Sequence, residues 1–116
     1  MSPPIKENEK EERRRVSRSR ALGEVEMVET ASGNVTRGRL IELSLIGCRV
    51  YVGHRLPVRG ALKLRIMREG QTFEAIGIVV WSESQGTGII FERFEEEQEQ
   101  VLEKWIAALT GSSGDM

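Results

Sequence analysis

Residues 62–67 alternate: Leu62, Leu64 and Ile66 are apolar, with Lys63, Arg65 and Met67 between them. Successive side chains of a strand point to opposite faces, so a period of two marks a strand with one buried and one wet face. The signature recurs along the chain. Val25 and Met27 alternate with Glu24 and Glu26, and Cys48, Val50 and Val52 alternate with Arg49 and Tyr51. Residues 35–43, 72–81 and 86–91 complete a set of six, 72–81 being the longest and most apolar. Turn chemistry separates them at Ala31-Ser32-Gly33-Asn34, Pro57 with Gly60, Glu69-Gly70 and Ser82–Gln85. Six short strands joined by tight turns predict a mainly β chain, a small six-stranded antiparallel barrel.

The last element has another period. Phe94, Gln98, Val101, Leu102, Trp105, Ile106 and Leu109 follow helical spacing, with Glu on the opposite face. A C-terminal α-helix is predicted to cover an open side of the barrel and to end near Thr110-Gly111, leaving 111–116 as a disordered tail. Trp81 and Trp105 read as barrel–helix packing, Trp81 near a strand end having the second reading of lining a ligand surface; Cys48 reads as a core residue and His54 as a surface residue.

At 116 residues, the chain has room for one modest core. No run approaches the roughly eighteen apolar residues that a membrane span needs, and the N-terminus has no apolar signal segment. A single cysteine excludes an internal disulfide and fits a reducing cytoplasm. Catalysis has little to work with: one His, one Cys and one Asp, no cluster at metal-ligand spacing, and no glycine-rich loop opening a helix. The expectation is a binding protein without enzyme activity, metal or cofactor.

Charge is unevenly spread. Residues 1–20 hold seven basic side chains against four Glu, a balance of +3, whereas the chain from Glu92 onward balances at −5. A basic arm and an acidic tail point to a localised anion site and not to a polymeric nucleic acid, for which the strands also lack stacking aromatics. Residues 1–12 read as a flexible charged arm and 13–110 as the domain. Four arginines, Arg13, Arg14, Arg15 and Arg18, lie where arm and domain meet. Guanidinium makes bidentate bonds to phosphate or to the O6/N7 edge of guanine, and its face stacks on a base. Downstream lies Glu42-Leu-Ser44-Leu-Ile-Gly47, with a hydroxyl that donates or accepts and a glycine suited to a tight turn.

Together these segments resemble the paired signature of the PilZ domain, RxxxR followed by (D/N)xSxxG. Arg14 and Arg18 match the first motif, and Ser44 and Gly47 the second, with Glu42 where the family has Asp or Asn. The Pro57 and Gly60 loop, the Val80-Trp81 pair and Gly86-x-Gly88-x-x-Phe91 are also similar to the family, so the resemblance spans about residues 13–109. It implies a PilZ-like barrel that binds cyclic di-GMP, a ligand with two phosphates and two guanines. Arg14 and Arg18 then clamp phosphate and guanine, Glu42 and Ser44 meet a guanine edge, and Arg13 resembles family members that take a stacked ligand dimer.

Each residue also has a plainer reading. Arg14 and Arg18 serve equally as solvated charges, and Ser44 and Gly47 as the makers of a turn. Glu42 is one methylene longer than Asp; it either ends a strand in solvent or pairs with a nearby arginine and closes the site. The leading expectation is a cytoplasmic receptor that relays cyclic di-GMP to an unidentified protein partner, its arm folding over the ligand. The alternative is a degenerate PilZ-fold interaction module that binds no nucleotide.

Overall fold

The computed structural model describes residues 19–114. Seven strands precede one helix: β1 (Ser19–Arg20), β2 (Glu24–Glu29), β3 (Val35–Leu43), β4 (Gly47–Tyr51), β5 (Ala61–Arg68), β6 (Gln71–Glu83), β7 (Gly86–Arg93) and α1 (Glu96–Gly114). The six strands expected from alternation are β2 to β7. Hydrogen-bonded neighbours run β3-β2-β5-β6-β7-β4, and β4 pairs back to β3, so the six-stranded antiparallel barrel is closed. Closure leaves these strands no continuous open edge, which short half-wet strands would otherwise expose.

The short β1 is an entry strand. It pairs with β3 through Ser19↔Leu43 and Arg20↔Glu42, on the same side of β3 that β2 occupies from Val35 to Arg39. Between them Ala21 N–H donates to the Ile41 carbonyl at 3.1 Å, and Leu40 N–H to the Gly23 carbonyl at 2.9 Å. The chain therefore enters along β3, kinks at residues 21–23 and continues as β2. The arm placed at residues 1–12 lies outside the described residues.

Alternation decides what lies inside. Val25, Met27, Leu62, Leu64, Ile66, Phe73, Val79 and Ile89 are almost completely buried. Outward positions of β3, β2, β5 and β6 carry a row of alternating charge: Arg37 to Glu26 at 3.5 Å, Glu26 to Arg65 at 3.9 Å, and Arg65 to Glu74 at 3.0 Å. The turns follow their chemistry. Glu69 and Gly70 both take positive φ, 50° and 80°, as the favoured two-residue hairpin turn requires. Gly60 N–H donates to the Pro57 carbonyl at 3.1 Å.

Helix α1 packs on β6 and reaches β1. Phe73 anchors the contact, with ring centroids 5.1 Å from Phe91, 5.4 Å from Phe94 and 6.4 Å from Trp105. Leu102 and Trp105 are buried against this cluster, and covering a side chain of Leu size stabilises by about 1.5–3 kcal/mol. Two polar contacts fix the register: Trp105 Nε1–H donates to Gln71 Oε1 at 2.9 Å, and Glu74 N–H to Gln98 Oε1 at 2.7 Å. The helix runs to Gly114, past the stop expected at Thr110-Gly111. A glycine inside a helix costs only about 1 kcal/mol relative to alanine, too little for Gly111 to end it.

Two register shifts interrupt the ladders where they matter most. Between β3 and β4, Leu40 faces Val50 and Glu42 faces Arg49, so Ile41 is an extra residue. Between β6 and β7, Val79 faces Ile89 and Trp81 faces Gly88, so Val80 is extra. A bulge re-aims the side chains that follow it. Without these two, strict alternation from Leu40 and Val79 would turn Glu42 and Trp81 inward.

Candidate functional site

The residues selected from the second motif come together. Glu42 ends β3, Gly47 begins β4, and Ser44 lies in the turn between them. With Arg49, Trp81 and Ile90 they line a groove of about 450 Å³ over the β4–β7–β6 face. Two larger depressions, about 680 and 590 Å³, lie around the charged row on β2 and β5. Arg65 and Arg37 are already paired with glutamates there, and none of the motif residues lines either, so the smaller groove is the candidate.

Ser44 and Gly47 build its floor. The Ser44 hydroxyl donates to the Gly47 carbonyl and accepts from the N–H groups of Ile46 and Gly47, each at 3.2 Å. Ser44 N–H also donates to the Gly47 carbonyl, at 2.9 Å. One donor and two acceptor sites are the whole capacity of a hydroxyl, so Ser44 is fully engaged in shaping the turn. Gly47 is required by close approach, since a Cβ at that position would collide with the Ile89 carbonyl oxygen. The plainer reading of these two residues, as makers of the turn, is what the described contacts show.

The walls carry the chemistry. Glu42 Oε2 lies 3.5 Å from Arg49 Nη2, an ion pair between partly exposed side chains. Arg49 Nε is buried without a hydrogen-bond partner among the described residues. Of the two readings left open for Glu42, pairing with a nearby arginine is the one the geometry favours. Opposite stands Trp81. It does not pack against the helix as expected; the Val80 bulge turns it outward, and its indole lies over Gly88, where any Cβ would strike the ring. Ile46, Val80 and Ile90 around it are half-exposed, so one wall is apolar and aromatic and the other is charged.

Cys48 faces the core beneath the groove, as alternation predicts. Burial pushes its thiol pKa up to about 12, so at neutral pH it is a small apolar filler. Arg13, Arg14 and Arg18 lie outside the described residues. The described chain begins at Ser19, paired with Leu43 at the rim of the groove, so these arginines precede the rim directly in sequence. Arg49 escaped the sequence reading as a site residue, although it left a signal, an outward β4 position two residues beyond Gly47. Trp81 reads first as packing and, from its place near a strand end, second as ligand surface; its aim depends on a bulge that the sequence does not mark.

No described helix is long and apolar enough to cross a membrane. Curated protein sequences contain no significant match. Solved structures share the fold. The chain is similar to the PilZ domain of CeSA from a cellulose-synthesizing bacterium, with a TM-score of 0.63 at 17% identity, covering 84% of this chain and 98% of that one. It is also similar to the PilZ domain of YcgR from Escherichia coli with c-di-GMP, with a TM-score of 0.66 at 18% identity, covering 89% and 95%. YcgR from Escherichia coli in complex with c-di-GMP gives a TM-score of 0.65 at 19% identity, this chain spanning 48% of its length. The family profile described as PilZ domain matches residues 12–108, most of the sequence. The chain belongs to the PilZ domain family.

Proposed function

We propose that the chain is a receptor for cyclic di-GMP, which binds in the groove between Glu42–Arg49 and Trp81 and whose occupancy is relayed to a protein partner. The observation that carries this reading is the convergence of the second motif with a cation and an aromatic face, at the place where the arginine-bearing segment enters. Trp81 offers a π-face for a guanine. Arg49, with Nε unspent, offers charge-assisted bonds to phosphate or to guanine O6/N7. Arg14 and Arg18 supply further guanidinium groups from the entering chain, and Arg13 sets how many ligands stack. Ser44 and Gly47 act through the shape of the floor. Similarity to PilZ domains solved with c-di-GMP supports the ligand class.

One observation favours a second reading. The Glu42–Arg49 ion pair holds a carboxylate and a guanidinium against each other inside the groove. In that reading the pair closes the site and the domain is an interaction module that takes no nucleotide.

Isothermal titration calorimetry of cyclic di-GMP into wild type, Arg14→Ala and Glu42→Asp separates the two. Binding at micromolar concentration or tighter, lost in Arg14→Ala, supports the receptor, and the molar ratio reports on Arg13. No heat in wild type with binding gained in Glu42→Asp supports the closed groove. Absence of heat in all three overturns the ligand assignment.

A further inference from the structure

Away from the groove, Arg68 is buried in a way that neither fold nor ligand binding requires. It ends β5 with its side chain only 9% exposed. Its guanidinium carbon stands 5.5 Å from the centre of the Trp105 ring on α1. On the other side, a Cβ added at Gly23 would lie 2.7 Å from Arg68 Cγ. The stem is thus wedged between the kink joining β1 to β2 and the helix that covers the barrel. Among the described residues, Nη2 reaches the exposed Glu69 carboxylate, at 3.8 Å. Nε and Nη1 are buried with no hydrogen-bond partner among the described residues.

Burying donors unmatched costs free energy, and more when the group is charged, so an aliphatic side chain of similar length would stabilise this packing better. The unspent donors also tilt the balance between docked and undocked helix. A shift that lets water reach Nε and Nη1 regains their hydration, which offsets part of the apolar packing that the shift gives up. An element held between two arrangements of similar free energy is what couples distant sites.

The groove is connected to this wedge. Glu42, on the groove wall, is the ladder partner of Arg20 on β1. Ala21 N–H and the Gly23 carbonyl hold the kink to Ile41 and Leu40, and the Arg68 stem fills the space that a side chain at Gly23 would need. Trp105 is fixed from beneath by Gln71, the ladder partner of Arg68 in the β5–β6 hairpin. A ligand drawing β1 toward the groove would move Gly23 over the Arg68 stem and tilt the guanidinium on Trp105.

We propose that Arg68 is a positioning residue that joins the entry strand to helix α1, so that filling the groove changes how α1 is docked on the barrel. The part played by the ligand rests on the receptor reading above; the mechanical link does not.

The test uses the full chain labelled with ¹⁵N, following the Trp105 indole N–H, assigned with Trp105→Phe, and amide hydrogen exchange over residues 96–110. Without ligand, Gly23→Ala pushes on the Arg68 stem and on the Met67 carbonyl, and the Arg68→Ala background separates the two; should it not fold, Ala21→Gly loosens the same joint. The expected result is a displaced Trp105 signal and α1 exchange faster by about fivefold or more, both abolished when the change is repeated in an Arg68→Ala background, which removes the stem. An unmoved signal, or the same displacement in Arg68→Ala, overturns the link. Saturating cyclic di-GMP, its occupancy read by calorimetry, is expected to move Trp105 in wild type and not in Arg68→Ala. A filled groove with Trp105 and α1 unchanged overturns the coupling. No calorimetric heat removes the receptor reading, and the ligand-free arm then decides the role of Arg68.

Discussion

The Glu42 carboxylate and the Arg49 guanidinium face each other across the β3–β4 ladder, 3.5 Å apart, on one wall of the groove. Each is partly exposed, so their attraction is screened and adds little to stability, about 0–1 kcal/mol. Its importance is chemical, because the same guanidinium is the cation proposed to meet the ligand. Removing it tests the assignment directly. Arg49→Ala is expected to weaken cyclic di-GMP binding by about 10- to 100-fold, the loss of one charge-assisted contact, with the melting temperature nearly unchanged. Calorimetry and thermal unfolding of the one variant read both.

The turn beneath the groove behaves oppositely. Ser44→Ala leaves the Ile46 and Gly47 N–H groups without their acceptor, and is expected to destabilise by about 1–3 kcal/mol in urea unfolding. Gly47→Ala forces β4 away from the Ile89 carbonyl and is expected to cost more than Ser44→Ala. The same rank order should not apply to two exposed substitutions elsewhere, such as Arg37→Ala and Glu83→Ala, which are expected to stay within about 0.5 kcal/mol.

Gly88 and Trp81 form a pair in which the absent side chain of one makes room for the ring of the other. Gly88→Ala is expected to lift the indole into solvent, with a red-shifted Trp81 emission isolated in a Trp105→Phe background. Ligand affinity is expected to fall with it, by about the 1–3 kcal/mol that one stacked base contributes. Normal affinity with a displaced ring would remove Trp81 from the site.

Cys48 gives the stability a recognisable alkaline limb. Burial raises its pKa from 9.0 to about 12 in the folded chain. Between those values the unfolded chain has lost the thiol proton and the folded chain keeps it, so the unfolded state binds fewer protons and stability falls as pH rises. The contribution is complete below pH 9 and lost progressively toward pH 12. Cys48→Ala, despite its lower stability at neutral pH, is expected to lose less between those limits, measured by urea unfolding. At pH 8 the thiol of the native protein should react with a disulfide reagent only as fast as the chain opens.

The barrel was legible because its signal is local and repeated. Leu62, Leu64 and Ile66, and the Glu69-Gly70 turn, carry their instructions within a few residues, and the inside faces of β2, β4 and β5 followed from them. The motif residues Glu42, Ser44 and Gly47 were legible as one place in the fold. What they do there was not, since the turn that occupies the Ser44 hydroxyl depends on backbone groups that a sequence does not order. Trp81 was misread as helix packing for a related reason: alternation carried past Val79 points it inward, and one extra residue reverses it. The end of α1 was set too early because glycine is only a weak stop.

The two bulges give the groove an unusual sensitivity to length. Supplying Val80 with a partner, by one residue inserted between Gly88 and Ile89, would restore a plain ladder, yet alternation from Val79 would then turn Trp81 into the barrel. One residue inserted between Arg49 and Val50 would pair Ile41 and do the same to Glu42. A lineage could therefore keep every recognisable residue of this family and lose the groove through a single extra codon. The aim of Trp81 and Glu42 is thus better judged from the spacing of the facing strands, Gly88 to Ile89 and Arg49 to Val50, than from which letters fill the motif.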